Sequence, residues 1–229
     1  MVINVTNHSM YPVCLNISGK LCLVAGGGRV AERKVRGLLA SGGRVRVVSP
    51  VVTAALKFLA EQERIEWRQK TYETADLQGV FLVFAATDLA EVQNALSRDA
   101  RDAGLLINRA DAPEACDFQV PASVRRGNLT LSVATNGRSP ALAAMVRRRL
   151  EHDFGEEYVL LTALMARLRD DILLEEDGER KKILFQQILH EDIVDWIRDD
   201  HWDRIRQHLQ AVLGRPVEVD PDLLRKEGS

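Results

Sequence analysis

Gly26-Gly27-Gly28, with Ala31 three residues further on, form the pattern G-x-G-x-x-A. Each position has a physical job. The first glycine permits a tight turn, the second lets backbone approach an anion, and the small third residue lets a helix pack closely on a strand. If these residues follow a buried strand and open a helix, the unpaired N–H groups of the first turn face the anion. The chemistry this serves is the binding of a dinucleotide pyrophosphate. A glycine run alone proves little, because tight turns use glycine anyway, so its surroundings decide.

The surroundings fit. Leu21-Cys22-Leu23-Val24-Ala25 is a short apolar run suited to a strand buried on both faces. After the glycines the period changes. Ala31, Val35, Leu38 and Leu39 fall on one helical face, and Gly42-Gly43 can end that helix. Arg44 to Val48 then alternates and stops at Ser49-Pro50. This is strand, glycine turn, helix, strand, a βαβ unit with a parallel pair. An acid for the ribose hydroxyls is expected at the end of the second strand. Ser49-Pro50 stand there instead. Ser49 brings no charge and does not repel a 2′-phosphate, so spacing does not choose between NAD and NADP.

Two more clusters could do chemistry. Asn108-Arg109-Ala110-Asp111-Ala112-Pro113 lies past an apolar run, where open α/β sheets place their ligands. Asp111 there could accept a proton, or it could merely stabilise a turn. Thr135-Asn136-Gly137-Arg138-Ser139-Pro140 is a glycine-containing loop leading into a capped helix, suited to anion contact or to ordinary capping. Arg147-Arg148-Arg149 near that helix's end reads as a complement to its dipole.

The positioning elements follow from the rest of the pattern. Ile65 to Arg68 is a weak third strand, Val80 to Ala86 a strong fourth and Leu105 to Asn108 a fifth. Leu89 to Ala103 is helical, with Val92, Ala95, Leu96 and Ala100 inward. Alternation of this kind predicts an α/β fold, a Rossmann-like doubly wound parallel sheet. Past residue 113 the pattern changes. Phe118 to Pro121 and Leu129 to Ala134 read as an antiparallel pair, turning at Arg126-Gly127-Asn128. A helix from Ser139-Pro140 runs to about Glu151. Beyond it the chain reads as helical. Tyr158, Leu161, Met165, Leu168 and Ile172 form one stripe, and Trp202, Ile205, Leu209 and Val212 another. Gly214 and Pro216 stop the last helix, leaving a loosely held tail from Val217. The expected division is a dinucleotide-binding domain at 1–113, a small α+β segment at 114–151 and a helical C-terminal domain at 152–229.

Composition narrows the function classes. The 229 residues carry 31 Lys+Arg and 33 Asp+Glu, a net charge of −2 that offers no overall pull toward nucleic acid or membrane. The longest wholly apolar run, Val80 to Ala86, is far short of the roughly 20 residues a membrane helix needs. Residues 1–9 are polar and do not read as a signal peptide. Cys14, Cys22 and Cys116 are odd in number with no C-x-x-C spacing, which suits a reduced, cytoplasmic protein. Cys14 and Cys22 have apolar neighbours and read as buried. The five histidines show no close ligand spacing, so a fixed metal site is not expected. Charge is split, however. Residues 1–150 carry 20 basic and 13 acidic side chains, and residues 151–229 carry 11 and 20. An anionic ligand therefore belongs on the first part.

Taken together, several motifs resemble one family. They are Pro12-Val13 at the first strand, Gly26 to Lys34, Ala85-Ala86-Thr87-Asp88, Asn108 with Asp111-Ala112-Pro113, Phe118 with Pro121, and Ser139-Pro140-Ala141-Leu142. This set resembles the precorrin-2 dehydrogenase/sirohydrochlorin ferrochelatase family, also found as the N-terminal module of siroheme synthase. The resemblance is close over Met10 to Glu151 and loose beyond. It implies dehydrogenation of precorrin-2 to sirohydrochlorin with NAD+. In many members Fe2+ is then inserted in the same cleft. It also implies a homodimer formed through the middle segment, with the helical domain covering the cleft. Cofactor contacts map onto Gly26, Gly27, Gly28, Arg29, Val30, Ser49, Pro50, Val51 and Thr87, and the functional aspartate onto Asp111.

The substrate is a polycarboxylate. Arg109, Asn136, Gly137, Arg138 and Ser139 are its candidate contacts, because guanidinium and loop amides bind carboxylates. Two departures from the family stand out. Thr135 replaces a serine that is modified in some members, and the large methyltransferase domain of fused synthases is lacking, which implies that this chain does not make precorrin-2. Two other readings stay open on the glycine loop alone. One is a non-catalytic NAD-binding regulatory module. The other is a potassium-channel-type nucleotide-binding domain, which gives no reason for Asn136 to Ser139.

Overall fold

The computed structural model describes residues 10–112, 115–175 and 178–227. The chain divides into two compact units, 1–120 and 121–229. The first alternates strands and helices: β1 (Leu21–Ala25), α1 (Arg29–Ala40), β2 (Arg44–Val48), α2 (Ala54–Glu61), β3 (Glu66–Arg68), β4 (Val80–Ala85), α3 (Ala90–Asp102) and β5 (Leu106–Arg109). The strands lie in the order β3-β2-β1-β4-β5, and every pair is parallel.

Burial explains the apolar runs. On β1, Cys22 and Val24 pack with Ala31, Val35 and Leu38 of α1 and Leu56 of α2. Leu23 points the other way and packs with Val83, Leu96, Ala100 and Ile107. With both faces covered, the strand has no polar side to alternate with. Full burial of side chains such as Leu23 and Leu96 contributes about 1.5–3 kcal/mol each. The chain leaves β1 toward β2 on one side and β4 lies on the other. The crevice at their carboxyl ends is therefore the topological switch point, and both Gly26 and Ala86 open onto it.

The second unit starts with an antiparallel hairpin, β6 (Ala122–Arg126) and β7 (Leu129–Val133). Then come α4 (Pro140–Asp153), α5 (Glu157–Glu175), α6 (Gly178–Ile188), α7 (Ile193–Arg198), α8 (Trp202–Leu213) and α9 (Pro221–Glu227). Its core gathers Leu161, Leu164, Leu168, Ile172, Ile188, Ile193, Ile205 and Leu209, and so contains both predicted stripes. No helix among the described residues is long and apolar enough to cross a membrane.

The structure corrects several local expectations. The first hairpin strand lies at Ala122–Arg126, not at 118–121. Phe118 instead packs edge-on against Phe84 at 5.3 Å and gives its carbonyl to the Asn108 side chain at 2.9 Å. Pro121 has no N–H for a ladder. The tail is also held. Val219 and Leu224 are buried in the helical core, and the Asp220 carboxylate accepts from the amides of Asp222 and Leu223. Cys22 is buried, but Cys14 is exposed, because Pro12 to Leu15 lie outside any strand. On α3 the fully buried face is Gln93, Leu96, Ser97 and Ala100, with Val92 and Ala95 only half-buried. The apolar pattern missed Gln93 and Ser97 because their burial depends on polar partners.

Candidate functional site

The glycine loop joins β1 to α1. Gly26 has φ +125°, and a Cβ on it would lie 2.1 Å from the carbonyl oxygen of Ala86, so only glycine lets β1 and β4 exit side by side. Gly28 has extended backbone and is the N-cap of α1, with no side chain capping the helix. A Cβ on it would meet nothing within 4 Å. Among the described residues, the start of α1 has no side-chain cap, which leaves its first-turn amides for a bound anion. An anion at a helix N-terminus gains about 0.3–1 kcal/mol from the dipole alone. These residues fit the pyrophosphate of a dinucleotide. Arg29 is exposed and Val30 is 39% exposed, both beside that opening.

The loop after β2 is built against the glycines. Gly26 donates to the carbonyl of Val48, and Thr53 donates its amide to the carbonyl of Gly27. Ser49 is nearly buried, and its hydroxyl donates to the carbonyl of Val51 at 2.7 Å. Pro50 and Val51 are exposed. Thr53 caps α2 by accepting from the Leu56 amide, and its hydroxyl donates to Glu32 of α1 at 2.8 Å. That hydrogen bond, with Arg36, holds the Glu32 carboxyl below its ordinary range. Thr53 and Glu32 lock the two loops together, and the sequence reading missed both. The available signal was Thr53 three residues ahead of Leu56, a helix N-cap spacing.

Thr87 follows β4 at the same crevice. Its hydroxyl accepts from the Leu89 amide at 3.3 Å, and its carbonyl accepts from the Gln93 side chain. Oε1 of Gln93 is buried without a hydrogen-bond partner.

β5 delivers the second cluster. The Ala110 amide donates to the carbonyl of Ala85 at 3.0 Å, which ties the exit of β5 to the end of β4. Arg109 then turns its guanidinium onto Asp111. Nε donates to Oδ1 at 3.1 Å and Nη2 to Oδ2 at 2.8 Å. Hydrogen bonding from Arg109 outweighs partial burial and holds the Asp111 carboxyl below the usual carboxylate range. Its own amide and that of Ala112 act in the same direction. Asp111 is therefore an ionised base at neutral pH, with its side chain 40% exposed. The segment is pinned behind it. Cys116 Sγ accepts from the Arg109 amide at 3.1 Å, and Asp117 accepts from the Ile107 amide at 2.9 Å. Lys34 of α1 sits over the Phe84 ring at 5.3 Å, and burial lowers its pKa. Pro113 lies outside the described residues.

The third cluster belongs to the second unit. Asn136 and Gly137 both have left-handed backbone, with φ 50° and 75°. The Arg138 amide donates to the carbonyl of Thr135, and Thr135 Oγ1 accepts from the Ser139 amide. Ser139 Oγ in turn caps α4 by accepting from Leu142. Asn136, Gly137 and Arg138 are exposed at the tip of the turn. Among the described residues, no group of three or more His, Cys, Asp and Glu side chains is placed to hold a metal ion.

Comparison with known proteins agrees with this architecture. A family model described as NAD(P)-binding matches residues 13–122, so the first unit is a nicotinamide dinucleotide-binding domain. A second, described as sirohaem biosynthesis protein central, matches residues 126–152. A siroheme synthase of Methylobacillus flagellatus is 34% identical over 227 residues, covering 93% of this chain and 49% of that protein. One from Xylella fastidiosa is 39% identical over 168 residues, covering 73% of this chain and 35% of that protein. The chain thus spans about half the length, or less, of these curated relatives. Among solved structures, SirC, a precorrin-2 dehydrogenase, superposes with a TM-score of 0.69 at 26% identity, covering 90% of this chain and 100% of SirC. With consecutive family models over residues 13–122 and 126–152 and a structural match along most of its length, this chain is similar to SirC and to the corresponding part of the siroheme synthases.

Proposed function

We propose that this chain oxidises precorrin-2 to sirohydrochlorin, consuming one NAD+ and releasing one NADH and one proton. The observation that carries the reading is Asp111, held ionised by Arg109 where β5 leaves the sheet, with β4 between β5 and the β1 strand that feeds the glycine loop. When bound, the nicotinamide dinucleotide would supply the hydride acceptor. The chain's own residues do the rest. The first-turn amides after Gly28 hold the pyrophosphate, Gly26, Gly27, Arg29, Val30, Ser49, Pro50, Val51 and Thr87 line the dinucleotide's path, and Asp111 takes the proton. Overlap of 90% of this chain with SirC supports the same reading.

NAD is the proposed cofactor over NADP. Arg68, the cation at the end of β3 next to Ser49, is engaged by Glu66 and Asp76. A 2′-phosphate finds no ready partner in it. A lower Kd for NADP than for NAD, measured by calorimetry, would contradict this.

Arg138, with Asn136, Gly137 and Ser139, is proposed to meet carboxylates of the tetrapyrrole. The segment 114–151, between the domains at 1–113 and 152–229, is proposed to form a homodimer, and the protein to work in the cytoplasm. Fe2+ is proposed as a second substrate, its ligands supplied by the macrocycle, with Asp111 removing the pyrrole protons.

Asp111→Asn tests the site. The change keeps the size and most of the hydrogen bonding but removes the basicity. The expected fall in kcat is about 10²–10⁴-fold, with NAD affinity unchanged. Retained dehydrogenation would return Asp111 to a turn-stabilising role.

A further inference from the structure

Arg109 was expected among the contacts to substrate carboxylates. The geometry points to a different assignment: we infer that Arg109 is a positioning residue, anchored on α3, that fixes the catalytic carboxylate of Asp111 and does not bind substrate. The inference rests on the reading of Asp111 as the base.

The guanidinium is used on both sides. Its Nε and Nη2 grip the two oxygens of Asp111 in the bidentate fork that suits a carboxylate. Its Nη1 donates to Asn94 Oδ1 and Ser97 Oγ, each at 3.2 Å. A substrate carboxylate seeking the fork would have to displace Asp111. The Arg109 side chain is only 12% exposed, against 40% for Asp111, so the carboxylate and not the cation faces outward.

Burial of Ser97 points the same way. It is 3% exposed on a helix face shared with Leu96 and Ala100. A buried hydroxyl needs a partner, and Arg109 supplies one. The Arg109 backbone is held from below by Cys116 Sγ. Helix, strand end and loop therefore over-determine where this guanidinium sits. A carboxylate gripped at both oxygens loses its rotational freedom about χ2, which is what a proton acceptor at a fixed distance requires.

Among the described residues, these groups face the pair. α3 presents the neutral Asn94 and Ser97. The following segment presents Cys116, and Asp117 bonds the Ile107 amide on β5. Removing Arg109 therefore takes away the main influence that holds the Asp111 pKa down. The acid limb of the kcat/KM profile should then move to higher pH.

The test uses the full chain with precorrin-2 and NAD+, comparing wild type, Arg109→Gln, Asn94→Ala and Asp111→Asn. Arg109→Gln should lower kcat at least about tenfold, leave KM for the tetrapyrrole within about twofold, and shift the acid limb upward. Asn94→Ala, at an exposed position, should shift the limb in the same direction by less. It keeps the test valid if Arg109→Gln folds poorly. A raised KM with unchanged kcat and unchanged limb would make Arg109 a substrate contact and overturn the inference. Carboxyl NMR of Asp111 separates this from the functional reading. If Arg109→Gln leaves the Asp111 titration unmoved while Asp111→Asn is inactive, the inference alone fails. If Asp111→Asn turns over normally, the base assignment fails, and the inference with it.

Discussion

A Cβ placed on Gly27 would lie 1.9 Å from the carbonyl oxygen of Val51. The middle glycine of the triplet is therefore required by the loop after β2, whether or not a ligand is bound. Gly28, one residue on, faces open space. The two positions make opposite predictions. Gly27→Ala must push the 49–53 loop away, and should cost about 1–3 kcal/mol of stability and lower the Tm. Gly28→Ala should leave the Tm within a degree or two. Gly28→Asp should also fold, yet weaken NAD binding by about 10–100-fold, because a carboxylate meets the pyrophosphate at close range. Unchanged affinity in folded Gly28→Asp would remove the glycine loop from the site.

Asp76 should govern acid stability of the first unit. Its side chain is fully buried, bonded to Arg68 Nη1 at 2.6 Å, to the Glu73 amide at 2.9 Å and to Lys70 at 3.2 Å. Burial opposes its charge, but the hydrogen bonds from Arg68, the Glu73 amide and Lys70 prevail and hold its pKa below the usual range. A folded pKa below the unfolded one stabilises the fold above about pH 4, and that stability is lost as pH falls through the lowered value. Asp76→Asn should thus lose about 1–3 kcal/mol at pH 7 in urea unfolding. The gap to wild type should narrow below about pH 4. A constant gap across pH would assign the effect to packing.

Substrate binding should depend on salt. Residues 1–150 carry an excess of seven positive charges, and exposed ion pairs weaken as the Debye length shrinks to about 8 Å at physiological ionic strength. KM for the tetrapyrrole should rise with NaCl. Arg138→Ala should raise KM by about 2–10-fold, with kcat little changed. A KM indifferent to both would break the link between the charge split and the substrate.

Much of the fold was legible because it rests on local pattern. The spacing of Ala31, Val35 and Leu38 marks α1, and the apolar run of β4 marks a strand covered on both faces. The glycine loop was legible because its residue types are forced by backbone geometry. What stayed hidden depends on contacts far apart in sequence. Nothing local announces that Arg109 closes onto Asp111, since that needs Asn94 and Ser97 from α3. Burial of Gln93 and Ser97 looks like a break in an apolar face until their partners are in place. Phe118 to Pro121 has strand-forming residues, yet Phe118 packs on Phe84 instead. The tail from Val217 reads as loosely held once Gly214 and Pro216 stop the helix, but Val219 and Leu224 anchor it in the helical core.

The most direct test of the account is turnover by the full chain. Precorrin-2 and NAD+ are supplied anaerobically, and NADH and sirohydrochlorin are followed together by absorbance. One NADH should form per sirohydrochlorin, at a rate proportional to protein. Tight NAD binding with no formation of either product, under conditions where SirC turns over, would contradict it and leave a non-catalytic dinucleotide-binding module.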